Sequence, residues 1–106
     1  MIRFTFFSSE DRTVGFRITG HAGYSEEGRD IICAAVSSAA YMTANTVTDV
    51  LDLDPELSVA EGDMLLRFRT LSDADNAAAV MDGFRLHIMG LLEQYPDFLT
   101  VTITEV

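Results

Sequence analysis

A chain of 106 residues with one cysteine has room for one small core and no internal disulfide. A formal net charge of −10, with all seven basic residues arginine, argues against a protein that grips nucleic acid by neutralising phosphates. Its hydrophobic content of 48% argues against disorder.

At the N-terminus Ile2, Phe4 and Phe6 alternate with Arg3 and Thr5, the pattern of a strand and not of a signal peptide. Val14, Phe16 and Ile18 alternate with Thr13, Arg17 and Thr19 in a second strand. The polar cluster Ser8-Ser9-Glu10-Asp11 between them predicts a turn and an antiparallel hairpin. Phe7 and Leu65 fall on the outer phase of their strands and predict a thin apolar patch there.

Gly20 closes the second strand and His21 opens a loop punctuated by Gly23 and Gly28. From Asp30 the period becomes helical. Ile32, Val36, Ala39, Met42, Val47, Val50 and Leu51 mark an inward stripe that ends near Asp52, ahead of Pro55. No apolar run is expected to reach membrane-spanning length. Leu57–Ala60 and Met64–Arg69 flank Glu61-Gly62-Asp63 and predict a second hairpin. Ser72 or Asp73 is the expected cap of a second helix with the stripe Ala77, Val80, Met81, Phe84, Ile88, Leu91, Leu92 and Tyr95. His87 borders that stripe and reads as a half-buried packing residue. A last strand is expected from Phe98 to Thr104, with Leu99, Val101 and Ile103 inward.

The order strand, strand, helix, strand, strand, helix, strand (ββαββαβ) predicts an α/β (α+β) fold and a single domain over residues 1–106. Alternating strands imply one apolar sheet face, so the expected architecture is a two-layer sandwich. It pairs a five-stranded, mainly antiparallel sheet with two helices on one face.

The candidate chemistry lies between Gly20 and Ser38. Asp30 sits where a helix N-cap is needed, which places Ile31 and Ile32 first in the helix and Cys33 at about its third position. A thiol in a first helical turn lies near backbone amides that lack partners, and these favour the thiolate. The amide of Cys33 and its neighbours are candidate oxyanion donors. His21 can fold back onto the sulfur as its base. Read alone, this pair leaves two accounts open: a nucleophile with its base, or a packed inert thiol beside a surface histidine. Ser37, one turn after Cys33, is either a hydrogen-bond partner near the sulfur or a small residue chosen for close packing. One Cys and two His lack metal-ligand spacing, so no metal and no cofactor is expected. A redox role for Cys33 would require an external thiol, because the chain has no second cysteine.

Gly20, His21 and Ala22, then a glycine-containing loop, then Gly28, Asp30, Ile31, Ile32, Cys33, Ala34, Ala35, Val36 and Ser37 form one long pattern. It closely resembles the signature of the ribosomal-processing cysteine protease family, Prp. That resemblance implies a two-layer fold, a homodimer, and catalysis by Cys33 and His21, with Asp30, Ser37, Gly20 and Gly28 supporting them. Asp30 is either an orienter of His21 or only a cap. The implied substrate is the twenty-seventh protein of the large ribosomal subunit. Its N-terminal extension would be removed after a hydrophobic segment ending in Phe-Phe, before alanine. An acidic enzyme and a basic ribosomal protein are complementary. The expected setting is the cytoplasm, with no direct contact to nucleic acid or membrane. The alternative function is a non-catalytic ribosome-associated binding module on the same fold.

Overall fold

The computed structural model describes residues 1–20 and 31–106 in full, and the backbone alone of Arg29 and Asp30. Strands β1 (Ile2–Ser9) and β2 (Arg12–Thr19) form the expected antiparallel hairpin. Glu10 and Asp11 both take left-handed backbone angles (φ 49° and 63°), as a two-residue hairpin turn matched to strand twist requires. β3 (Glu56–Ala60) and β4 (Asp63–Arg67) form the second hairpin, and β4 pairs antiparallel with β2. β5 (Leu99–Glu105) lies parallel to β1, giving the sheet order β3-β4-β2-β1-β5. The sheet is therefore mixed, with one parallel pairing among antiparallel ones. Gly15 permits the close approach of β2 and β4: a Cβ there would stand 2.9 Å from the Arg67 Cα, with the Leu66 carbonyl nearer still.

One face of the sheet carries Ile2, Phe4, Phe6, Phe16, Ile18, Met64, Leu66 and Leu99, all at most 1% exposed. Over it lie α1 (Arg29–Asn45) and α3 (Ala78–Gln94), as the alternation predicts. Phe84 of α3 is the keystone of that layer. Its ring centroid lies 4.9 Å from Phe16, 5.3 Å from Phe4 and 6.0 Å from Phe6, each in edge-to-face geometry.

Several local expectations are corrected. The second helix is two helices. α2 (Leu71–Asn76) is capped by Thr70, whose hydroxyl accepts the Asp73 N–H at 3.1 Å, and the chain bends at the buried Ala77 before α3. The cap is thus Thr70 and not Ser72 or Asp73, because the Thr-x-x-Asp spacing places an acceptor at the first free amides. Thr70→Ala is expected to cost about 1 kcal/mol, measured by urea unfolding. His87 is exposed and not half-buried. Ile103 is 52% exposed on the outer strand β5, although its β1 partner Phe6 is buried. Met42 and Val50 are also exposed, at 57% and 72%. The inward face of α1 consists instead of Ile32, Cys33, Val36, Ala40 and Ala44, with Thr43 donating its hydroxyl to the Ala39 carbonyl at 2.8 Å.

The helix ends in a π-helical turn, Thr46–Val50, where the Leu51 N–H reaches back to the Thr46 carbonyl. The hydroxyls of Thr46 and Thr48 bond to carbonyls four residues earlier, a habit that bends helices. The change of period turns Val50 outward and keeps Val47 inward. Asp52 then stops the helix at φ 55°. Ile31–Val50 is long and apolar enough to cross a membrane by length and composition, contrary to expectation, but it lies here against the sheet.

The opposite sheet face is polar and cationic. Arg17 makes a two-pronged bond to Asp63 (3.1 and 2.7 Å), which raises the guanidinium pKa, first by the hydrogen bond and then by the charge. Arg67 lies over the Phe7 ring at 5.8 Å, so Phe7 is half-covered and the outer patch is thinner than expected.

Candidate active site

Three strands converge on the place where the chain leaves β2. The Gly20 N–H donates to the Gly62 carbonyl at 3.0 Å, tying the end of β2 to the β3–β4 turn. The Met1 carbonyl lies on the other side. A Cβ on Gly20 would stand 2.6 Å from that oxygen, and Gly20 holds φ 76°, a left-handed angle. Gly20 is thus fixed by both conformation and space, and it sets the direction in which the chain departs toward His21. Gly20→Ala is expected to destabilise the protein by about 1 kcal/mol or more, read as a lower midpoint in thermal unfolding.

His21, Gly23 and Gly28 lie outside the described residues, as do Glu26 and Glu27, so the structure gives no His21–Cys33 distance. The chain is described again from Arg29, already within α1. Two positional expectations are corrected. Asp30 lies inside α1 and is not its cap, and Cys33 stands at least five residues into the helix and not at about the third. The amide of Cys33 therefore belongs to the helical ladder. A helix keeps its partnerless amides at its N-terminal end, the end of α1 on which Cys33 sits.

The side chain of Cys33 is well placed relative to them. Cα–Cβ bonds on a helix tilt toward its N-terminus, so the thiol leans toward that end of α1. Cys33 is 5% exposed, on the core side between Ile32 and Val36. Ile31 stands outward beside it at 71% exposure. The site is thus half core and half surface: a packed thiol next to the exposed Ile31. Ser37, one turn further on, is half-buried and engaged.

A shallow apolar cavity of about 630 Å³ opens on the solvent side of α1 and α3. Ala35, Ser38, Ala39, Met42, Gly83 and His87 line it; Cys33, turned the other way, does not. Sequence reasoning missed this cavity, although the small residues Ala35, Ala39 and Gly83 at the helix crossing were its visible signal. Among the described residues no group of three or more His, Cys, Asp or Glu side chains is gathered as metal ligands would be.

Against known proteins, residues 1–100 match the model of the family described as cysteine protease Prp. The ribosomal processing cysteine protease Prp of Bacillus subtilis (strain 168) is 28% identical, over 96% of this chain and 96% of its own. The solved structure of SMU.848 from Streptococcus mutans is 30% identical, with a TM-score of 0.89, and covers 100% of this chain and 96% of its own. The Prp of S. aureus, solved with a substrate peptide, shares the fold at a TM-score of 0.88 and 18% identity, over 98% of this chain and 100% of its own. With the fold, the single cysteine at the head of α1 and nearly the whole length matched, this chain belongs to the Prp family of cysteine proteases.

Proposed function

We propose that this protein is the cysteine endopeptidase that removes the N-terminal extension of the twenty-seventh protein of the large ribosomal subunit. The cut follows a hydrophobic segment ending in Phe-Phe and precedes alanine. The observation that carries this reading is the family match over residues 1–100 of a chain whose single cysteine heads α1. The curated relative is itself named for ribosomal processing.

In this reading His21 takes the thiol proton and the Cys33 Sγ attacks the scissile carbonyl carbon. The carbonyl oxygen becomes an oxyanion, held by first-turn amides of α1. Collapse of this intermediate breaks the C–N bond. His21 returns the proton to the leaving amine, and a thioester to Cys33 remains. Water, deprotonated by His21, attacks that thioester and frees the thiol. Asp30 and Ser37 are positioning residues on α1, and Gly20 and Gly28 are supporting residues. No cofactor or metal enters these steps. The protein works in the cytoplasm as a homodimer, without direct contact to nucleic acid or membrane. Its 17 acidic side chains draw a basic protein substrate.

The alternative, a non-catalytic ribosome-associated module, draws on the 5% exposure of Cys33. Thiol chemistry separates the two. In the peptidase reading iodoacetamide alkylates Cys33 in the native protein at neutral pH, and a Phe-Phe-Ala peptide slows that reaction. A thiol modified only after unfolding points to the module. Mass spectrometry of the ribosomal protein after incubation then locates the cut. Cleavage that ignores the paired phenylalanines overturns the substrate assignment.

A further inference from the structure

We propose that β3 is a docking strand that holds the apolar segment preceding the cut as an added, parallel sheet strand. This rests on the peptidase reading above. β3 is an outer strand of the sheet, and all five of its residues are exposed. Its register with β4 sets Leu57 opposite Leu66 and Val59 opposite Met64, so both side chains lie on the helix-bearing face that also buries Cys33. Yet Leu57 is 42% exposed and Val59 50%. An outer strand with apolar side chains and no lysine, proline or bulge within it is a template for a further strand.

Its position fits the chemistry. β3 runs toward the β3–β4 turn, where Gly62 accepts the N–H of Gly20, one residue before His21. A peptide laid along β3 from Glu56 to Ala60 therefore ends near the junction of Gly62 with Gly20, the residue before His21 in the sequence. The other outer strand, β5, does not offer this. Its Leu99 end, next to Ile2, is 1% exposed, and its exposed Ile103 lies toward the far end.

Charge selects the occupant. Glu56 and Glu61 bracket Leu57 and Val59, so the complement is an extended apolar stretch of about five residues flanked by basic ones. A second copy of this chain is a poor occupant. Antiparallel pairing of two β3 strands sets Glu56 of one opposite or next to Glu61 of the other, a like-charge contact.

Two measurements test the proposal. The first compares a long peptide, Arg followed by five apolar residues and Phe-Phe-Ala, with a short one that contains only Phe-Phe-Ala. For the wild type the long peptide should show a kcat/KM about tenfold higher or more. In Leu57→Ser/Val59→Ser that advantage should collapse through KM, while Leu86→Ser, at 76% exposure on α3, should keep it. The second measures amide exchange in Cys33→Ala with the long peptide bound uncleaved. Amides of residues 56–60 that point away from β4 should slow. Cleavage of the long peptide with its advantage intact in the double variant, and no slowing in β3, overturns the docking strand and spares the peptidase. Slowing in β3 without cleavage by the wild type supports the docking strand and overturns the peptidase. Slowing in β5 instead of β3 also overturns the proposal.

Discussion

Cys33→Ala is expected to leave no turnover of the Phe-Phe-Ala substrate above background, a fall on the order of 10⁴-fold or more. The sulfur is the only thiol in the chain, so no neighbour can substitute for it. The fold should survive. The substitution removes one buried atom from the inward face of α1, where Ala40 and Ala44 already serve, and the cost should be about 1 kcal/mol. Single-turnover assays by mass spectrometry, with urea unfolding of the same preparation, separate the two effects. Residual cleavage within tenfold of wild type removes Cys33 from the mechanism.

Phe84→Ala should have the largest effect on stability, about 3–5 kcal/mol. Phe84 is 3% exposed and touches three other rings, so truncation leaves a cavity bounded by the stiff backbones of β1 and β2. Against a typical total of about 5–15 kcal/mol, that loss removes much of the protein's margin. Phe84→Leu refills part of the volume and should cost clearly less. Both are read as shifts in the urea midpoint with the slope held. Equal losses for the two would mean that edge-to-face geometry, and not volume, carries the stability.

The strands were legible because alternation is a local signal: Phe4, Phe6, Phe16 and Ile18 all fell on the expected inward phase. The parallel placement of β5 beside β1 left no local trace, since its pattern suits either edge of the sheet. The π-helical turn was hidden for a related reason. Val50 fits a 3.6-residue period, and only the threonine hydroxyls at 46 and 48 hint that the period changes. The break at Ala77 was equally silent, because alanine is the best helix former. Ile103 was misplaced because alternation reports the phase of a side chain and not whether its strand lies at the edge of the sheet. At the site, the motif pointed to Cys33 and the structure adds its burial and its place in the first turns of α1. Gly20 is explained by space that sequence does not show: the Met1 carbonyl beside its Cα. His21 lies outside the described residues, so its role still stands on the motif.

The pairing of β1 with β5 joins Ile2 to Leu99, nearly the whole chain apart. During synthesis β1 emerges first and can form its hairpin with β2 early, but its other edge must wait for β5. Until then Ile2, Phe4 and Phe6 sit on a strand with one open side, the kind of surface on which nascent chains associate wrongly. The two hairpins are local and fast to close, whereas this last pairing carries the entropy of a very long loop. Folding therefore ends with the first and last strands of the sheet meeting, and refolding from denaturant should show β5 protected last.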